Sequence, residues 1–365
     1  MAESGSSRSG FMPSRVIHLH PSRFCNLTCQ HCYSSSGPGV RGELAAETII
    51  SALPALKAEG YEVLSLSGGE PLLYSGFKVV VHSAASLGFR INLVTNGAPV
   101  GGHLLDFIAD YVNLVAVSLD GAPETHIDLR GDARAFLRAE RAMDRLATVG
   151  VKFGIAYCIS RESLQDMPWA VEFAKAKGAG LIQFHPFAPV GRGQLLANRL
   201  GLSESDRARA YIIAALLDTG QGLTIQMDLA PVEVARARRG DYAVLDLEDA
   251  NEMHLSDLVN PLIIDETGLV SPLCYGINQR HALGLLGSNS ATLVDHFKKE
   301  GWRDLRTLLD VAFARLGTCG ENFVDWFYHI VETSYGLPAH YDRTLAPDPY
   351  TLRTGEQMKL PSSGS

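Results

Sequence analysis

The chain has 365 residues, 46% of them hydrophobic and 20% charged, a make-up that supplies a sizeable core and excludes disorder over most of its length. Its 32 basic and 40 acidic residues give a net charge of -8 with no long basic run, which argues against nucleic acid as a partner. No unbroken apolar stretch reaches membrane-spanning length and no apolar signal segment precedes residue 16, so the expectation is a cytoplasmic protein that stays off the membrane.

Residues 1–15 begin Ser- and Gly-rich and read as a disordered N-terminus. A short apolar strand is predicted over 16–20, a cysteine-bearing loop follows it, and a helix is predicted over 47–57 despite Pro54. The unit then recurs: strands over 63–67, 91–95 and 114–118 alternate with helices over 77–86, 104–110 and 134–149. Strands over 152–158 and 181–184 flank a helix over 169–177, which makes six strands. Alternation at this spacing demands parallel pairing through helical crossovers, hence an α/β barrel, open or closed. Beyond residue 194 the alternation weakens to a helix over 204–217, a strand over 223–228, a hairpin over 261–272 turning at Glu266-Thr267-Gly268, and a helix over 302–316. The expected layout is a partial (β/α)6 TIM-type barrel over 16–194, a smaller α+β C-terminal domain over 195–346 and a flexible tail over 347–365.

Six cysteines are too few for a disulfide scaffold, and three of them, Cys25, Cys29 and Cys32, fall in one loop. That clustering points to metal in a reducing compartment. Thiolates select iron–sulfur clusters, zinc or cuprous copper. Three thiolates on a four-iron cluster leave one iron open to a small molecule, whereas structural zinc closes with four ligands. No second paired-cysteine unit lies nearby, and His31 adjoins Cys32 too closely to share its metal easily.

The run Cys25-Asn26-Leu27-Thr28-Cys29-Gln30-His31-Cys32-Tyr33 resembles the signature of the radical S-adenosylmethionine (SAM) superfamily, with cysteines spaced C-x3-C-x2-C. Ser67-Gly68-Gly69-Glu70-Pro71 resembles that superfamily's second-strand motif, although Gly-Gly and Pro also punctuate ordinary turns. The resemblance implies one 4Fe–4S cluster on Cys25, Cys29 and Cys32, and SAM as cofactor. It further implies SAM contacts from His31, Tyr33, Gly68, Gly69, Glu70, Asn96, Ser118 and Asp120, the last three from stretches whose Asn-Gly and Asp-Gly pairs are equally turn dipeptides. Arg130 resembles a residue of the peptide-modifying branch that meets substrate or the cofactor carboxylate; its plainer role is a salt bridge at a helix end. His18, His20 and His185 stand where they can line the barrel, and His185 is counted among the candidate catalytic groups; ordinary interior hydrogen bonding is the alternative.

Gly191-Arg192-Gly193 and the 264–274 stretch resemble relatives that carry a SPASM or twitch domain with auxiliary clusters. Only Cys158, Cys274 and Cys319 remain outside the loop, fewer than such clusters use, and Cys158 reads as a buried small hydrophobe. The expectation is a degenerate domain, with Cys274 and Cys319 as the weak candidates for a second cluster. The implied function is hydrogen abstraction from an unactivated carbon, with electrons from a flavodoxin or ferredoxin. The substrate expected is a ribosomally made peptide undergoing crosslinking, epimerisation or oxidation; the alternatives are a small metabolite, or a non-enzymatic iron–sulfur electron-transfer or assembly protein.

Overall fold

The computed structural model describes residues 14–242, 250–287, 290–318 and 320–337. Cys319, the 347–365 tail and nearly all of the N-terminal stretch lie outside the described residues.

The strands are β1 (Val16–Leu19), β2 (Val63–Leu66), β3 (Arg90–Thr95), β4 (Leu114–Ser118), β5 (Phe153–Ile159), β6 (Leu181–Pro186) and β7 (Thr224–Met227), followed by β8 (Ala230–Pro231), β9 (Leu262–Ile264), β10 (Leu269–Pro272), β11 (Gly284–Leu285) and β12 (Phe323–Val324). β1 to β7 pair in parallel in chain order. The 223–228 stretch, assigned by sequence to a separate unit, therefore adds a seventh parallel strand. On the far side of β1, β9 pairs in parallel and then leads by a hairpin to β10 and β11. Among the described residues the result is a ten-stranded sheet with its edges at β7 and β11, an open barrel rather than a closed one. β8 and β12 form a separate two-stranded ribbon.

The helices α1 (Ala46–Ala58), α2 (Phe77–Ser86), α3 (Gly102–Tyr111), α4 (Pro123–Arg130), α5 (Ala135–Thr148) and α6 (Met167–Lys177) follow the strands. In α2 the buried residues are Phe77, Val80, Val81 and Ala84, a single face at helical spacing. Those faces pack on one side of the sheet, where Ile17, Leu19, Ile91, Leu93, Val115, Val117, Ile182 and Phe184 are essentially inaccessible to solvent. Each such side chain stabilises the fold by about 1.5–3 kcal/mol. The alternate residues His18, Ala116, Ser118, Ala156, Cys158, Gln183 and His185 face the other way and are only half-buried. The core is thus sheet against helices, and the inner face, lined by small and polar groups, stays open.

Candidate active site

The loop between β1 and α1 carries the three cysteines and is anchored from four directions. Short bridges pair Ser22 with Glu43 and Phe24 with Gly37. The turn after β2 donates Gly69 N–H to Ser22 O (2.8 Å) and Glu70 N–H to Phe24 O (2.9 Å). Gln30 N–H reaches Leu129 O at the end of α4 (2.8 Å). The turn after β6 closes the ring: Arg192 donates from Nε to Cys29 O (2.7 Å) and from Nη2 to Ser36 O (2.8 Å). Two glycines make these approaches feasible, because a Cβ on Gly69 would lie 2.2 Å from Phe24 O and one on Gly191 2.2 Å from Tyr33 O. Gly69→Ala is expected to lower the stability of the metal-free protein by about 1–3 kcal/mol in urea unfolding, since backbone rather than a flexible side chain must move.

Cys25, Leu27 and Cys29 pack as one small buried cluster with Cys32 against it. Each thiol receives a different donor. Leu27 N–H (3.4 Å) and Asn96 Nδ2 (3.8 Å) face Cys25 Sγ; Arg130 Nη1 (3.8 Å) faces Cys29; Ser36 N–H (3.4 Å) and the Ser34 hydroxyl (3.4 Å) face Cys32. Burial pushes the Cys25 thiol up to about 12 and raises Cys29 as well. Thiols so held ionise only against strong local positive charge, which bound iron supplies. Among the described residues, no group of three or more His, Cys, Asp or Glu converges as it must on one metal ion. A four-iron cluster asks for less convergence, because each thiolate takes its own iron. The donor chemistry and the N–H groups aimed at sulfur fit such a cluster.

Around this loop lie the other candidates. Glu70 is 1% exposed, and its carboxylate accepts Leu72 N–H (3.2 Å), Thr95 Oγ1–H (2.8 Å) and Asn96 N–H (2.9 Å), tying the β2 turn to the end of β3. Burial, partly offset by those bonds, pushes it up to about 7. The Tyr33 hydroxyl bonds to Ser67 and Gly68, and its ring lies 5.8 Å from His20 and 5.1 Å from Tyr275, centre to centre. His20 Nδ1 and His31 Nδ1 are buried with no hydrogen-bond partner among the described residues, two polar atoms left open at the cysteine loop. Ser118 ends β4 on the half-buried inner face. Asp120 is fully committed: Arg130 Nε and His31 Nε2 (3.3 Å) meet Oδ2, and Cys158 N–H (3.2 Å) meets Oδ1. Burial works against its charge, yet the Arg130 guanidinium and then His31 hold it well below the usual carboxylate range. Arg130 is thus the salt bridge at the end of α4 that its position suggested, and it touches a cysteine ligand candidate as well.

Across the sheet, His185 Nδ1 pairs with Asp228, just past β7, which also accepts Gln183 Nε2 (3.4 Å). Burial alone pulls the His185 imidazole down, but Asp228 overrides it and holds the ring above its ordinary value. His18, facing them from β1, is lowered to about 4 by burial and by His185. Asp325, which caps helix Trp326–Ser334 by accepting Tyr328 N–H (3.2 Å), is raised to about 7, first by burial and then by Asp228. Sequence reading missed Asp228 and Asp325; the first ends a strand not counted in the barrel, and the second starts a helix not predicted. A cavity of about 420 Å³ opens beside them, lined by Arg161, Phe187, Asn198, Arg207, Asp325 and Tyr328.

Cys158 sits half-buried on the inner face of β5, not within the core as expected for a small hydrophobe. Cys274 is 6% exposed within the main apolar core.

Residues 19–174 match the family model described as "Radical SAM superfamily". The chain is 29% identical over 201 residues to Fe-coproporphyrin III synthase of Methanosarcina barkeri, covering 54% of this chain and 50% of that protein. It is 31% identical over 169 residues to the sporulation killing factor maturation protein SkfB of Bacillus subtilis, covering 46% of this chain and 41% of that protein. The matches thus span about half the length of these relatives. In fold, the chain is similar to the solved structure of native anSMEcpe with bound AdoMet and Kp18Cys peptide, with a TM-score of 0.63 over 93% of this chain and 94% of that one at 17% identity. The cysteine loop stands at the mouth of an open parallel barrel, and residues 19–174, from the end of β1 into α6, form a domain of the radical SAM superfamily.

Proposed function

We propose that the chain is a radical SAM enzyme that binds one 4Fe–4S cluster through Cys25, Cys29 and Cys32 and abstracts hydrogen from an unactivated carbon of a ribosomally made peptide. The observation that carries this reading is the set of three thiols packed together in one anchored loop at the strand ends, with N–H groups aimed at their sulfurs. When bound, such a cluster supplies the electron that cleaves SAM into methionine and a 5′-deoxyadenosyl radical, the electron itself coming from a flavodoxin or ferredoxin.

The chain's residues do the holding. Gly68 and Gly69 bring backbone close to the loop, and Glu70 keeps one lone pair for an ammonium group after its three internal bonds. His31 Nδ1 and His20 Nδ1 offer buried polar contacts on the same side. Asn96 and Ser118 border the cofactor space at the ends of β3 and β4. Facing them, His185, Asp228 and Asp325 form a polar wall that orients substrate and can hold or move a proton. The neighbouring cavity of about 420 Å³ is of a size to take a few peptide residues. Similarity to a sporulation killing factor maturation protein supports the peptide reading. Similarity to a tetrapyrrole enzyme supports the rival, a small metabolite. Apart from β7 and β9, which pair with barrel strands, the region from residue 195 onward is read as a degenerate SPASM-like part without a cluster of its own.

Anaerobic reconstitution tests this: about four irons per chain, and 5′-deoxyadenosine formed from SAM after reduction, are the expected results. Zinc in place of iron, with no deoxyadenosine, overturns the reading. Faster deoxyadenosine formation with a precursor peptide than with a tetrapyrrole separates the two substrate classes.

A further inference from the structure

We propose that Arg130 and Asp120 act together as a fixed charge pair that sets the reduction potential of the cluster at Cys29, with Arg130 a positioning residue rather than one that reacts. This rests on the cluster reading above. Of the polar groups that face the three thiols among the described residues, Arg130 alone carries a charge; the others are backbone N–H groups, a hydroxyl and an amide. Its guanidinium is almost enclosed, 12% exposed, and lies 3.8 Å from Cys29 Sγ. On its other side it clasps Asp120, only 2% exposed, whose remaining partners are His31 Nε2 and Cys158 N–H.

Potentials of iron–sulfur clusters follow local net charge and hydrogen bonds to sulfur. A positive charge at this range favours the reduced cluster, which carries one more negative charge, and a nearby carboxylate opposes it. The arginine touches the sulfur directly while the aspartate stands one group behind it. The pair therefore tilts toward easier reduction, and Asp120 trims that tilt. An arginine placed here without its partner would lift the potential further.

The test uses the full chain, reconstituted anaerobically and titrated in the absence of SAM with dithionite and mediator dyes, reading the reduced cluster by electron paramagnetic resonance. Arg130→Met is expected to disfavour reduction by about tenfold or more, a shift of ~59 mV to more negative potential for one electron, because unit charges this close keep such a value even at an effective dielectric near 20. Asp120→Asn is expected to shift the potential the opposite way, the double variant to fall between the two single ones, and Arg130→Lys to stay near wild type. A cluster-loaded Arg130→Met with the wild-type potential overturns the proposal. Should Arg130→Met fail to load iron, Asp120→Asn decides: a positive shift upholds the proposal and an unchanged potential overturns it. A wild-type protein that takes up no cluster refutes the cluster reading itself, which the iron count reveals before any potential is measured.

Discussion

Replacing Cys25, Cys29 and Cys32 together with serine is expected to reduce bound iron from about four per chain to background and to abolish deoxyadenosine formation, while leaving the metal-free fold in place. The reason lies in how the loop is held. Its shape comes from bonds that do not involve the thiols: Arg192 to Cys29 O and Ser36 O, Gly69 to Ser22 O, Gln30 to Leu129 O. In the metal-free protein Cys25 and Cys29 are buried thiols driven toward the neutral form. Serine is close in size and neutral, so the loop loses its soft ligands and little of its packing. Iron by colorimetry, deoxyadenosine by chromatography and urea unfolding of the metal-free proteins measure the three parts. A triple variant that still holds about four irons would place the cluster elsewhere and sink the assignment.

Arg130→Met is expected to produce the largest loss of stability of any single change near the site, about 3–5 kcal/mol for the metal-free protein in urea. Methionine fills much of the arginine's volume but leaves Asp120 charged, enclosed and short of its main partner. His31 and the Cys158 N–H remain to it, and neither carries a fixed charge. Neutralising the carboxylate as well, in Arg130→Met/Asp120→Asn, should recover a substantial part of the loss, because no buried charge is then left alone. Arg130→Met within 1 kcal/mol of wild type would mean that water reaches Asp120 and that the pair is not the enclosed unit described here. The same pair thus has two separable readouts, stability without the cluster and potential with it.

The relation between the two halves of the inner face also follows from the geometry. Thiols, Glu70 and Asp120 gather at the ends of β1 to β4, whereas His185, Asp228 and Asp325 gather near β6, β7 and the C-terminal helix. Small residues on the strands between, Ala116 and Ala156, leave room across the barrel. A cofactor held on one side and a substrate on the other would meet over that floor, where positioning dominates.

Much of this was legible from the chain itself. Period-two apolar strands alternating with helical faces such as Phe77, Val80, Val81 and Ala84 fixed the parallel α/β layout, because each pattern can bury its apolar residues in only one way. Three cysteines at C-x3-C-x2-C spacing raised the expectation of a cluster site, because groups in one short loop need no distant contact to be brought together. What the tertiary structure decided involves groups far apart in sequence. Strand pairing is set by hydrogen bonds between distant segments, so only the fold revealed that Thr224–Met227 joins β6 and that Leu262–Ile264 joins β1, where local pattern suggested a separate unit. Arg192 reaches the cysteine loop across 163 positions, Arg130 reaches Cys29 across 101, and His185 meets Asp228 across 43. Such contacts leave no local periodicity, since the chain encodes them only through the packing that carries one strand end to another.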